Sequence, residues 1–243
     1  MPFQLSSVRM FPLGDAALVL QLGDEIAVET HHQVKAVAQF LDQHPFPGLV
    51  EYVPAFTTVT VYYDPWLVSD WGRLDAYAAV ETHLRQMLAQ LETAPAAAQA
   101  SVKEIPVVYG GAFGPDLELV AQHTGLRAEE VIALHSQAEY LVYMIGFAPG
   151  FPYLGGMNPR LAAPRKQVPR AVIPAGSVGI AGLQTGVYPL ETPGGWQLIG
   201  RTPLSLFDPA RASPSLLEMG DVVRFVPVSE KEYLNWKERP HEH

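Results

Sequence analysis

The chain has 243 residues, 48% hydrophobic and 17% charged, with a formal charge of −9 and no cysteine. This length and composition suit one large or two small folded domains and exclude a disordered chain, and the absent thiols exclude disulfides, thiolate catalysis and cysteine-ligated zinc. The acidic balance argues against broad nucleic-acid binding, no apolar run reaches the roughly 18 residues of a membrane span, and residues 1–5 lack a charged region before an apolar one, so a cytoplasmic chain is expected.

Residues 10–13 and 16–20 are predicted as strands joined at Gly14-Asp15, a turn pair. Residues 27–44 are predicted helical, because Val34, Val37, Ala38 and Leu41 recur at three- and four-residue spacing. Asp24, Glu25 and Glu29 lie near its start, where the helix dipole favours negative charge, and Pro45 and Pro47 end it. Residues 50–54 and 57–63 read as strands, the second alternating and rich in β-branched and aromatic side chains, with a turn at Asp64-Pro65. A second helix is expected over 75–92, through Tyr77, Val80, Leu84, Met87, Leu88 and Leu91. The order implies an α+β layer with helices on one face of an antiparallel sheet. Residues 93–101 are low in complexity and lack bulky side chains. They are taken as the boundary between an N-terminal α+β domain, 1–95, and a C-terminal domain, 101–243.

The second half opens with a strand over 103–109, then short helices over 116–123 and 128–136 and a strand over 140–145. From Tyr143 to Pro209 the chain is dense in glycine and proline, so it cannot hold a long helix and reads as short strands between tight turns. Residues 220–227 form a closing strand. Many short strands with few helices point to a small β-barrel with inserted helices.

The candidate chemistry lies in that central stretch. Arg160, Arg165, Arg170 and Arg201 offer planar donor forks suited to a carboxylate, a phosphate or an acidic partner face. The first three can share a face only if turns intervene, which Pro164 and Pro169 allow; otherwise they are solvated or salt-bridged arginines. Gln184 and Tyr188 can orient an amide or carboxylate by hydrogen bonds. Phe147, Phe151, Tyr153, Tyr188 and Trp196 suit either a pocket wall or barrel core. Gly176, Gly179 and Gly182 mimic a phosphate-cradling loop, but with no helix expected after them the reading is close packing at barrel corners. Ser177, in a partial nucleophile-elbow pattern, is read as a turn serine for the same reason. No histidine spacing suits a metal; His135 with Glu130 and Glu139 is the best of a weak set.

Three runs carry a resemblance to a known family: Gly146-Phe147-Ala148-Pro149-Gly150-Phe151-Pro152-Tyr153-Leu154, residues 173–188, and Pro193-Gly194-Gly195-Trp196 through Pro203. With residues 48–56 and 62–65, they resemble the family of the bacterial 5-oxoprolinase B subunit, also called KipI, kinase A inhibitor or allophanate hydrolase subunit one. The same two-part unit resembles the carboxyltransferase region, subdomains C and D, of urea carboxylase. The resemblance implies a cyclophilin-like barrel for the C-terminal domain. It implies the B subunit of an ATP-dependent 5-oxoprolinase, inactive alone, which contacts the C subunit directly and works with the A subunit to open 5-oxo-L-proline to L-glutamate. It also includes a non-enzymatic inhibitor of a sensor histidine kinase. ATP is used by the complex, with its contact to this chain left open, and neither metal nor biotin is implied for the chain. It assigns no catalytic residue. A surface shaped for the C subunit implies self-association of the isolated chain.

Overall fold

The computed structural model describes residues 8–91 and 102–238. The chain divides into two compact units, Met1–Gln99 and Ala100–His243. The low-complexity stretch 93–101 lies outside the described residues.

The first unit is a four-stranded antiparallel sheet with helices. Strands β1 (Arg9–Pro12), β2 (Ala17–Gln21), β3 (Leu49–Pro54) and β4 (Thr58–Tyr63) lie in the order β1-β2-β4-β3. The alternation in β4 sets the register: Val61 lies opposite Leu18 and Val59 opposite Leu20, and all four are buried. Helices α1 (Val28–Gln43) and α3 (Ala76–Leu91) bury the predicted apolar stripes, Val34, Val37, Ala38 and Leu41 on one and Val80, Leu84, Met87 and Leu88 on the other. Asp64-Pro65 is more than a turn. The Asp64 carboxylate accepts the N–H groups of Trp66 and Leu67, and Pro65 at the first helical position starts the short helix α2 (Pro65–Val68).

The second unit is a closed seven-stranded barrel. Its strands are β5 (Val102–Tyr109), β6 (Glu139–Ile145), β7 (Pro152–Gly155), β9 (Ser177–Ala181), β10 (Gln184–Val187), β12 (Gln197–Arg201) and β13 (Val222–Pro227). They close in the order β10-β7-β6-β13-β5-β12-β9. Strands β8 (Arg170–Ile173) and β11 (Thr192–Gly194) form a separate two-stranded ribbon. The inserted helices are α4 (Leu117–Thr124), stopped by Gly125 in the left-handed conformation, and α5 (Ala128–Gln137). The barrel core packs Ile105, Val107, Tyr140, Val142, Ile180, Ile199 and Phe225 against Leu117, Val120 and Val131 of those helices. Besides α2, the sequence reading missed helix α6 (Glu230–Glu238), which follows the closing strand. Among the described residues, no helix is long and apolar enough to cross a membrane.

Candidate functional site

The central stretch builds a cleft of about 340 Å³ on the barrel unit. The β6–β7 loop supplies Phe147 and Phe151, β7 supplies Tyr153, and β10 supplies Gln184 with Tyr188 just beyond it. Arg165 and Pro169 come from the irregular segment before β8, and residues 193–196 complete the lining. The aromatic residues line the cleft and do not fill the barrel core, which holds none of the five. Phe151, Tyr188 and Trp196 are buried in a cluster with Ile173, Ala181 and Leu198, and one face of that cluster is the cleft wall. Glycine leaves room where these rings approach backbone. A Cβ on Gly186 would stand 3.1 Å from Phe151 and 3.2 Å from Trp196. At Gly194 it would collide with the Tyr188 hydroxyl and the Ile173 side chain.

The four candidate arginines do not converge. Arg165 is exposed, lines the cleft, and its guanidinium forms no hydrogen bond or ion pair among the described residues. Arg170 is not in the cleft lining, and its Nη2 donates to the Asp116 carboxylate at 2.7 Å. Arg160 is exposed at a 3₁₀ turn, Pro159–Leu161, and its charge reaches Glu130 of α5. Arg201 lies in β12, outside the cleft lining, with its Nε buried and without a partner among the described residues. The physical reason is that each sits on a different element: Arg160 on the 3₁₀ turn, Arg165 on the irregular segment before β8, Arg170 at the start of β8 and Arg201 at the end of β12.

Asp116 is the residue the sequence reading missed. It is nearly fully buried, and its Oδ1 accepts from Arg170 and from Lys166 Nζ, the latter at 3.3 Å. Its Oδ2 accepts the Leu198 N–H at 2.7 Å. Burial alone would raise its pKa; the Arg170 hydrogen bond, the Leu198 N–H and the two positive charges outweigh that and hold the carboxyl below its usual range. The segment 164–170 is thereby pinned at both ends. Gln197 Nε2 holds the Pro164 carbonyl at 2.8 Å, the Lys166 N–H donates to the Gly195 carbonyl at 2.7 Å, and Asp116 holds Lys166 and Arg170. Arg165 projects between these pins. Nothing in a one-dimensional pattern pairs an aspartate before α4 with an arginine 54 positions away. Nearby, Arg170 Nη1 and Gln197 Oε1 are a buried donor and acceptor without partners among the described residues.

Tyr188 carries the electrostatic imprint of this arrangement. Burial raises its phenol, opposed by the Trp196 backbone N–H and by the positive charges of Arg165 and Arg170. A larger hollow, about 370 Å³ beside Leu134 and Met157, has no titratable side chain in its lining and none of the predicted residues.

The remaining motifs resolve structurally. Gly176, Gly179 and Gly182 lie in and beside barrel strand β9, which turns directly into β10, so no helix N-terminus is available to cradle phosphate. Ser177 is fully buried and donates to the Pro174 carbonyl, as expected of a turn serine. His135 does not join Glu130 and Glu139. It is fully buried, while Glu130 pairs with Arg127 and Glu139 with Arg224. Among the described residues no His, Asp or Glu cluster could hold a metal ion.

Residues 8–217 match the model of the carboxyltransferase domain, subdomain C and D. The chain is 52% identical, over 93% of its length and 95% of the relative's, to the 5-oxoprolinase B subunit of Bacillus subtilis (strain 168). The corresponding protein of Escherichia coli O157:H7 is 46% identical, over 93% of this chain and 99% of its own. The chain belongs to the 5-oxoprolinase B subunit family. The crystal structure of TTHA0988 shares the fold at a TM-score of 0.74 and 39% identity, covering 91% of this chain and 40% of that longer one. Within this family fold, the barrel unit carries the cleft and the six hydrogen-bonding candidates, Arg160, Arg165, Arg170, Gln184, Tyr188 and Arg201, of which Arg165, Gln184 and Tyr188 line it beside the aromatic candidates.

Proposed function

We propose that the chain is the B subunit of a cytoplasmic, ATP-dependent 5-oxoprolinase that works with the A and C subunits to hydrolyse 5-oxo-L-proline to L-glutamate. The similarity to two proteins named as the B subunit of 5-oxoprolinase, over nearly the full length of all three chains, carries this reading. A partner protein is supported by TTHA0988, of which this chain matches only 40%.

The cleft supports a binding role within that complex. Its polar edge holds a guanidinium, Arg165, and a carboxamide, Gln184; its walls are aromatic. That combination suits a small ring bearing a carboxylate and an amide, with Arg165 on the carboxylate and Gln184 on the lactam amide. Tyr188 forms the wall between them and positions the ring. Arg170 adds positive potential without contacting the substrate, and Arg160 and Arg201 take no part in this cleft. In the proposed reaction the lactam carbonyl oxygen takes the γ-phosphoryl group of ATP and ADP leaves; water then adds to the activated carbon, the ring C–N bond breaks to free the amine, and phosphate departs. The phosphate contacts are assigned to the partner proteins, because the glycine run here lies in strands.

Co-expression of the chain with the A and C subunits, followed by assay of glutamate formation from 5-oxoproline and ATP, tests the reading. Activity is expected only with all three proteins present. Full activity without this chain would overturn it, and specific binding to the dimerisation region of a sensor histidine kinase in its place would favour the inhibitor reading.

A further inference from the structure

The loop between β6 and β7 is made of two consecutive turns. The Ala148 N–H donates to the Gly146 carbonyl at 2.8 Å, closing a three-residue γ-turn. Its central residue is Phe147, at φ +67°. The Phe151 N–H then donates to the Ala148 carbonyl at 2.9 Å, with Pro149 and Gly150 (φ +78°) at the central positions. Beneath both, the Gly146 N–H donates to the Phe151 carbonyl at 3.0 Å and continues the β6–β7 ladder. Proline followed by glycine suits the second turn. Phenylalanine does not suit the first. A γ-turn with positive φ is the rare, strained form, and a bulky side chain in that region is an outlier.

Burial does not offset this strain. Phe147 is 68% exposed, and its ring packs edge-to-face on Phe151 with centroids 5.4 Å apart. What the strained backbone achieves is placement. It extends the aromatic wall of Phe151, Tyr153, Tyr188 and Trp196 outward at the mouth of the cleft. Strained, exposed and aromatic at a cleft mouth is the combination expected of a ligand contact.

We propose that Phe147 is a specificity-determining residue that covers the apolar face of the ring bound in the cleft, a small carboxylated lactam. This rests on the reading that the cleft takes 5-oxoproline. Arg165 and Gln184 satisfy the polar edge of such a ligand; its methylene face needs a flat apolar cover that excludes water, and Phe147 supplies one.

The test compares Phe147→Gly and Phe147→Ala in the assembled three-protein enzyme, with melting curves of the chain itself. Both variants lack the ring, and only glycine relieves the strain. Both are expected to raise the 5-oxoproline KM roughly tenfold, the scale of one aromatic contact. Phe147→Gly should melt about 2–4 °C above Phe147→Ala, and Phe147→Tyr should restore KM. An unchanged KM in both, while Arg165→Ala raises it, overturns the inference and leaves the cleft reading standing. If Arg165→Ala is also without effect, the cleft reading itself falls. Loss of assembly at unchanged KM would make Phe147 a partner contact instead, and Phe147→Gly melting below Phe147→Ala would refute the strain argument.

Discussion

On the proposed reading of the cleft, Arg165 and Asp116 divide one task between an exposed side chain and a buried one. A guanidinium at a cleft mouth binds more tightly when its backbone is already held, since ordering a loose segment would add backbone entropy to the cost of each binding event. Asp116 provides that hold through Lys166 and Arg170. Replacing it by Asn would leave two cations facing a neutral partner. Their side chains are about a quarter exposed, so we expect a stability loss of about 3 kcal/mol, the low end for a broken buried pair, read from urea unfolding. In the assembled enzyme, Arg165→Ala should raise the 5-oxoproline KM on the order of 100-fold, for a lost charge-assisted hydrogen bond. If Asp116 acts through Arg165, the double variant will show less than the product of the two single effects; strict additivity would separate the two residues. Arg165 was legible in the sequence as a turn-flanked arginine. Asp116 was legible only as an acid near the start of a helix.

At the scale of elements, α5 is fastened to the barrel by a polar chain through His135. Its Nδ1 lies 2.8 Å from the Tyr109 hydroxyl of β5, and its Nε2 lies 2.8 Å from the Thr185 hydroxyl of β10. Thr185 donates onward to the Gly179 carbonyl of β9 at 3.1 Å. Because that hydroxyl proton is used, Nε2–H donates to Thr185 and Nδ1 accepts from Tyr109, which assigns a neutral ring with one defined tautomer. Burial lowers the His135 pKa from 6.5 to about 3. The sign follows. The unfolded ring takes up a proton below pH 6.5 and the folded ring does not until about pH 3, so the neutral ring's contribution is complete above 6.5 and is lost as pH falls through that window. Chemical denaturation should therefore show stability falling below pH 6.5 by up to about 1.4 kcal/mol per pH unit from this residue, and His135→Gln should flatten the slope. An unchanged slope would mean that the ring is not held neutral.

At the scale of the molecule, the informative feature is a set of large apolar side chains of the first unit that are exposed among the described residues. Trp66, Leu67, Trp71 and Leu74 are between 49% and 70% exposed, within nine residues of one another. Large apolar side chains grouped in this way mark interaction surfaces. Sedimentation velocity on the isolated chain is expected to show concentration-dependent self-association that disappears on addition of the C subunit. A strictly monomeric chain at high concentration would argue against it.

Sequence alone determined the helical stripes, the alternating strands, the Gly/Pro-built second unit and the family, because periodicity, turn chemistry and long motifs are local properties of a chain. Only the tertiary structure decided which arginine reaches the cleft, that Asp116 restrains its neighbours, that His135 is a structural brace, and that Phe147 is held out at the rim in a strained turn. Each of those outcomes depends on groups tens of residues apart meeting across a closed barrel, or on a backbone angle that phenylalanine does not choose for itself.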